Sequence, residues 1–202
     1  MLGIALLFVG IVLVHNGIMF MSRVKKTVAN EDGTTSEQLI PLVVASPKTV
    51  AYFNIIVGAI IVIGNFILLA FHAPYGYANW QNIAAGLVFG VTYLFIAGNL
   101  LLKLDMRSFG WYCLGASIFA LIMVVYNLVQ LGDIGMEYGY SFLILALLWI
   151  SWFPLWFAGA LEFIFNMKIM QRIFPWISIV VGIIGAFLPA IALLTGWWGL
   201  LG

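Results

Sequence analysis

Residues 147–163 read LLWISWFPLWFAGALEF, an apolar stretch that holds three tryptophans and a proline and ends close to a glutamate. The stretch belongs to an apolar run of about residues 141–165, and a helix of about 20 such residues can cross the hydrocarbon core of a bilayer. Five more runs of this kind cover about residues 2–22, 49–71, 80–102, 109–131 and 175–198. The sequence therefore predicts an all-α, polytopic membrane protein with six transmembrane helices.

The composition leads to the same prediction. Of the 202 residues, 65% are hydrophobic and only 7% are charged, whereas a soluble domain of this size must cover its surface with polar groups. We expect residues 1–202 to form one transmembrane domain. The first run lacks the basic segment and the small-residue cleavage site of a signal peptide, so we expect it to be a retained helix.

The positions of the positive charges predict the topology. All eight Lys and Arg residues lie in the first, third or fifth connection between the runs: Arg23, Lys25, Lys26, Lys48, Lys103, Arg107, Lys168 and Arg172. Positively charged connections stay on the cytoplasmic side of the membrane. Both termini are therefore expected outside.

The long hydrophilic segment 23–48 is a cytoplasmic connection in this topology. It is mixed in charge and rich in turn formers around NEDGTTS. It is either a mobile connector or a docking site for a cytoplasmic partner.

The even-numbered helices share a weak internal similarity. Each follows a cytoplasmic connection, begins with an aromatic residue and carries a glycine at a similar depth, namely Gly58, Gly115 and Gly182. Three helical hairpins built on one plan would produce this pattern, because repeats are common in transport proteins. Chance similarity among apolar segments explains it equally well.

The residues inside the membrane exclude most enzyme chemistry. The ionisable side chains there are His15 and Glu162, with His72 at an outer edge, and the single cysteine is Cys113. There is no metal-ligand motif, no paired carboxylate and no phosphate-binding loop, and two histidines at different depths cannot hold a haem. We predict that the protein is not an enzyme and has no metal or cofactor. The net charge of +1 gives no indication of nucleic-acid binding.

Three function classes remain. A passive channel for a neutral solute needs no ionisable group in its path. A proton-coupled secondary transporter would use Glu162 or His15, since intramembrane acids and bases mark such proteins. An assembly protein would transport nothing.

Helical periodicity places uncharged polar residues on shared faces with aromatic and aliphatic ones. One face of the third helix carries Phe89, Thr92, Tyr93, Ile96 and Asn99, and one face of the first carries Val9, Leu13, Asn16 and Phe20. Such faces suit a narrow pore for a small neutral solute. The alternative for each single amide is a hydrogen bond between packed helices.

The fifth helix has a one-sided aromatic stripe. At about 100° per residue, Trp149, Trp152 and Trp156 lie within about 60° of one another. Pro154 removes the hydrogen bond to the Ile150 carbonyl, which leaves a free acceptor in the middle of the membrane. The stripe is either a slot for a planar solute or a surface for packing and lipid contact.

At these residues the sequence resembles the AmiS/UreI family of urea and short-chain amide channels. The matching stretches extend over nearly the whole chain apart from the first connection: MLGIALLFVGIVLVHNGI, SPKTVAYFNIIVGA, GLVFGVTYLFIAGN, LDMRSFGWYCL, LLWISWFPLWFAGALEF and FPWISIVVGIIGAFLPA. The resemblance implies six helices, a multi-pass protein of the bacterial cytoplasmic membrane, and a ring of six protomers that each contain a pore.

The resemblance also implies which residues line the pore. The matching positions are Leu13, Asn16, Phe89, Tyr93, Trp149, Trp152, Leu155 and Trp156. Two departures concern the acid-activated member of the family. The long, histidine-bearing external loop that gates it is reduced here to a short connection with His72 alone, and its glutamate in the last helix is replaced by Val181. We therefore expect no comparable acid gating.

The resulting hypothesis is a passive channel for urea or a small aliphatic amide, feeding a cytoplasmic urease or amidase. The aromatic residues and Leu13 and Leu155 would form the slot, while Asn16 and Thr92 would replace hydration hydrogen bonds. Glu162 and Asn99 are possible accessory residues. The expected partners are the solute, membrane lipids and further copies of the chain.

Overall fold

The computed structural model describes residues 2–21, 23–29, 35–41, 46–72 and 77–197. Six spans in it are long and apolar enough to cross a membrane, as the sequence predicts. The first five are the helices α1 (Leu2–Met21), α2 (Pro47–His72), α3 (Tyr77–Leu102), α4 (Arg107–Ile134) and α5 (Met136–Phe165). The sixth consists of α6 (Lys168–Gly182), a π-helical segment (Ile183–Phe187) and α7 (Leu188–Leu194).

The six spans form a ring in which each span packs beside the next, and the sixth closes the ring against α1. The most extensive contacts join α4 to α5, α2 to α3 and α1 to α6. The internal repeat stays a prediction, and the cytoplasmic connections do not join the most closely packed spans. The tightest pairs are instead spans joined at the opposite face, together with the first and last spans, whose small residues allow close approach.

The first connection contains structure that the sequence analysis did not predict. Strands β1 (Arg23–Ala29) and β2 (Thr35–Pro41) pair antiparallel, with Arg23 opposite Pro41 and Ala29 opposite Thr35. The strands were not predicted because the segment is mixed in charge, although turn formers separate the two strands as in a hairpin. Its role as connector or docking site stays a prediction.

The sixth span begins earlier than the apolar run at residue 175 suggests. The preceding helix α5 ends at Phe165, and its C-cap Asn166 has a left-handed backbone with φ of 51°. The new helix then starts at Lys168 and contains Pro175. Lys168 and Arg172 face outward in its first turns, so hydropathy alone could not place its start.

Close approach of α1 to the sixth span explains two of the glycines in α1. A Cβ atom at Gly10 would lie 2.8 Å from the Cβ of Phe187 and 2.9 Å from the Gly182 carbonyl oxygen. A Cβ atom at Gly17 would lie 2.7 Å from the Pro175 carbonyl oxygen. Even a methyl group at either position would push the two spans apart.

The buried core fills the centre of the ring, and large apolar side chains also cover the outside. Most of these lie on the even-numbered spans, for example Phe71 on α2, Val125 on α4 and Trp176 on α6. An apolar exterior is expected where lipid or another subunit replaces water. The odd-numbered helices α1, α3 and α5 carry all nine predicted pore residues.

We predict that Gly17→Ala destabilises the protein by about 1–3 kcal/mol, because the added methyl group overpacks the contact with α6. The thermal unfolding midpoint in detergent should fall. Gly115→Ala is the matched control, since a Cβ atom there meets nothing within 4 Å. Equal midpoints for the two variants would contradict the close approach.

Candidate functional site

The three tryptophans of α5 are buried inside the ring and form one column of rings with Phe89. All three are at most 1% exposed. The ring centroid of Phe89 lies 5.0 Å from that of Trp152 and 4.8 Å from that of Trp156, while Trp149 lies 4.9 Å from Trp152. The stripe therefore faces the interior of the bundle and not lipid. We call these four side chains the aromatic column.

Trp152 is held by the backbone of the sixth span. Its indole Nε1–H donates a hydrogen bond to the Gly185 carbonyl oxygen at 2.8 Å. Gly185 lies four residues before Pro189, which has no N–H to give to this carbonyl. The span relaxes here into its π-helical segment, with the Leu188 N–H bonded to the Ile183 carbonyl. The indole thus satisfies a backbone acceptor that Pro189 leaves free.

The free Ile150 carbonyl that Pro154 predicts stays a prediction. Helix α5 continues through Pro154 without interruption. The Ile150 side chain is half exposed on the outside of the bundle. In the described part of the chain, the freed acceptor that meets a tryptophan is the Gly185 carbonyl.

A cavity of about 30 Å³ adjoins the aromatic column. One water molecule needs about 10–15 Å³ by this measure, so the cavity suits only a very small solute. Its wall contains no charged side chain. The wall residues are Leu13, Asn16, Phe20, Thr92, Tyr93, Ile96, Phe109, Cys113, Leu155, Trp156, Phe174 and Ser178.

Six of the nine predicted pore residues therefore share one cavity wall, and the other three belong to the adjoining aromatic column. The contribution of the even-numbered spans was not predicted from the sequence. These supply Phe109 and Cys113 from α4, and Phe174 and Ser178 from α6. Each pair is spaced four residues apart, which places both members on one helix face, but nothing in the sequence says that this face turns inward.

The amide of Asn16 in the cavity wall has a fixed partner in Asn54 on α2. Asn16 and Asn54 exchange two side-chain hydrogen bonds of 2.9 Å, and Asn54 also donates to the Val50 carbonyl. A backbone carbonyl can only accept, so this contact sets the orientation of both amides. Asn16 keeps one N–H for the cavity, because an amide has two.

The Thr92 hydroxyl cannot donate a hydrogen bond to a solute while it donates to its own helix. Its hydroxyl donates to the Val88 carbonyl oxygen at 2.8 Å, and Tyr112 donates to the same oxygen. The Thr92 oxygen therefore remains only as an acceptor.

Three buried donors in the aromatic column and the cavity wall have no hydrogen-bond partner within the described residues. They are the Tyr93 hydroxyl and the indole N–H groups of Trp149 and Trp156. Buried polar groups are normally paired. These donors are thus available for a polar group that enters the aromatic column or the cavity.

The remaining candidates lie outside the cavity wall. Asn99 is buried, and its amide contacts the Met106 sulfur at the turn between α3 and α4. His15 packs edge-on against Phe53, with ring centroids 4.8 Å apart. Glu162 is half buried in the last turns of α5, and Val181 is buried in α6. No group of His, Cys, Asp or Glu side chains in the described ranges could hold a metal ion.

The family model described as AmiS/UreI family transporter matches residues 35–197. The chain belongs to the AmiS/UreI family. This is a family of transporters and not of enzymes, and membership with six spans makes the chain a multi-pass membrane protein.

Named relatives and solved structures cover almost the whole chain. It is 28% identical to the acid-activated urea channel of Helicobacter pylori, over 98% of this chain and 100% of that protein. It is 25% identical to a Mycolicibacterium smegmatis protein named "Putative amidate substrates transporter protein", over 97% of this chain and 78% of that one. The cryo-EM structure of the H. pylori urea channel in a closed state matches with a TM-score of 0.73 and 26% identity, covering 98% of this chain and 100% of that chain.

We predict that Trp152→Phe destabilises the protein more than Trp149→Phe, by about 1–3 kcal/mol. Only the Trp152→Phe substitution removes the donor that pairs with the buried Gly185 carbonyl. Both substitutions remove the same ring volume, and the Trp149 N–H has no partner to lose. Thermal unfolding in detergent measures the difference. A larger loss in Trp149→Phe would refute the role of the Gly185 carbonyl.

Proposed function

We propose that the protein is a passive channel for urea or a small neutral aliphatic amide across the bacterial cytoplasmic membrane. The observation that carries this proposal is the aromatic column above a small uncharged cavity, with three unpartnered donors beside it. The relatives named for urea and for amidate substrates support the same solute class.

The chemistry of the pathway suits a planar carboxamide. Its flat faces can slide between indole and phenyl rings, and its carbonyl oxygen can accept from the Tyr93 hydroxyl or from the indole N–H of Trp149 or Trp156. These bonds replace hydrogen bonds to water that the solute loses on entry. Because the rings of the column touch in this structure, the solute passes only as they move apart.

The same wall rejects ions. An ion needs continuous oxygen ligands or charged side chains to replace its hydration shell. The cavity wall has no charged side chain, and Asn16 offers a single free N–H. The cavity wall therefore cannot compensate an ion for the free energy of losing its hydration shell.

The absence of Asp, Glu, His, Lys and Arg side chains from the cavity wall favours passive movement over proton coupling. Glu162 and His15, which a coupled transporter would require, lie outside the cavity wall. A cytoplasmic urease or amidase would keep the internal solute concentration low by hydrolysis, so that net flow continues inward without coupling.

We further propose a homo-oligomer, as the family resemblance implies a hexamer with one pore per protomer. The large apolar side chains on the even-numbered spans support contacts with other protomers and with lipid. The mass of the particle extracted in native lipid discs tests the number of protomers.

We predict that Trp156→Ala changes urea flux or the ratio of urea to acetamide flux by about tenfold, the effect of about 1.4 kcal/mol on a barrier. Proteoliposome swelling in gradients of urea, acetamide and formamide measures both quantities. Trp111→Ala is the matched control, because this tryptophan is 58% exposed on the outside of α4. If Trp156→Ala leaves flux and selectivity unchanged, the slot does not exist.

We also predict that flux depends neither on a proton gradient nor on external acidification from pH 7 to pH 5. Histidine is the side chain that ordinarily changes charge in this range, and the second connection holds only His72. Uptake of labelled urea with and without a gradient measures the effect. Accumulation above equilibrium that Glu162→Gln abolishes would establish a coupled transporter instead.

A further inference from the structure

We propose that the side-chain amides of Gln81 and Asn127 form a binding station for the carboxamide group of the solute, at the outer end of the pathway. The proposal rests on the function proposed above and names an additional recognition site for the same solute class. We call this pair the outer amide station.

The two amides are buried and bonded to each other across helices. Gln81 on α3 is 6% exposed and Asn127 on α4 is 0% exposed. The Asn127 Nδ2 donates to the Gln81 Oε1 at 2.9 Å and to the Met123 carbonyl oxygen at 2.6 Å. Since the carbonyl can only accept, this geometry fixes which end of each amide is nitrogen.

The fixed orientation leaves a donor and an acceptor unused. The Gln81 Nε2 and the Asn127 Oδ1 are buried atoms with no hydrogen-bond partner in the described part of the chain. Burying such groups unpaired is unfavourable, and inside a membrane the cost is not relieved by bulk water. If the two amides served only to hold the helices together, one amide bonded to a backbone carbonyl would be enough.

The unused atoms are those that a carboxamide complements. The Gln81 Nε2–H can donate to the carbonyl oxygen of the solute, and the Asn127 Oδ1 can accept from its N–H. Urea and primary amides carry both functions on one planar group, whereas a monatomic ion can satisfy only one of the two protein groups. The station therefore favours the solute class that the aromatic column can pass.

Helical periodicity places the station outward of Phe89 in the aromatic column and of Phe109 in the cavity wall. At about 100° per residue, Gln81 shares a face of α3 with Thr92 and lies within about 80° of Phe89. Asn127 is eighteen residues, or about five turns, from Phe109 on the same face of α4. With a rise of about 1.5 Å per residue, Gln81 lies about 12 Å outward of Phe89.

Small buried residues lie between the station and the cavity. Ala85 follows Gln81 by one turn on α3, and Ala116 and Ala120 precede Asn127 on α4; all three are at most 6% exposed. The sequence of encounters from outside is thus the amide station, the aromatic column and the cavity.

The test uses proteoliposomes that contain the full chain with Gln81→Met or Asn127→Leu, which keep side-chain size and remove the amide. Urea and water permeabilities are measured after osmotic steps. We expect the ratio of urea to water permeability to fall about fivefold in each variant, the effect of one net hydrogen bond. The exchanged pair Gln81→Asn with Asn127→Gln should recover most of the ratio.

Asn65→Leu is the matched control. Asn65 is also a buried amide seven residues from the outer end of its helix, but it lies on α2 and bonds to the Ile61 carbonyl of its own helix. We expect the wild-type ratio in this variant. Thermal unfolding in detergent verifies that each variant is folded, and Gln81→Met decides the question if Asn127→Leu does not fold.

Two results would overturn the station while leaving the channel in place. One is a wild-type ratio in folded Gln81→Met, and the other is an equal fall in Asn65→Leu, which would indicate a general packing effect. Wild-type liposomes that pass urea and acetamide no faster than empty ones would refute the proposed function itself and the station with it.

Discussion

The hydrogen bond from the Trp152 indole to the Gly185 carbonyl joins α5 to the sixth span, and both spans contribute to the cavity wall. Pro189 cannot bond to this carbonyl, and hydrocarbon offers no water to replace the missing donor. The indole must therefore stay against the π-helical segment, which in turn packs closely on α1 at Gly10. The position of the aromatic column is thus tied to a backbone requirement of a different span.

Much of the fold follows from the sequence because the bilayer imposes simple requirements. Six apolar runs of sufficient length predict the six spans. The hairpin of β1 and β2 escaped prediction because its strands are short and mixed in charge. The start of α6 at Lys168 escaped prediction because its first turns are polar and lie at the membrane surface. A helix there can begin before the apolar run that hydropathy detects.

The candidate site was predictable where it depends on a single helix and not where it depends on two. Periodicity alone places the three tryptophans on one face of α5 and Phe89 with Thr92 on one face of α3. It cannot show that the Thr92 hydroxyl turns back to Val88, or that Asn16 is locked to Asn54. Nor can it bring Gln81 opposite Asn127, because residues 46 positions apart meet only through the packing of α3 on α4.

The composition of the cavity wall also bears on how fast material moves. With so few polar groups, a carboxamide that enters the cavity has few bonds to break when it leaves, so its dwell time is short. A pathway that holds its cargo weakly does not saturate at low concentration, and its throughput rises in proportion to supply.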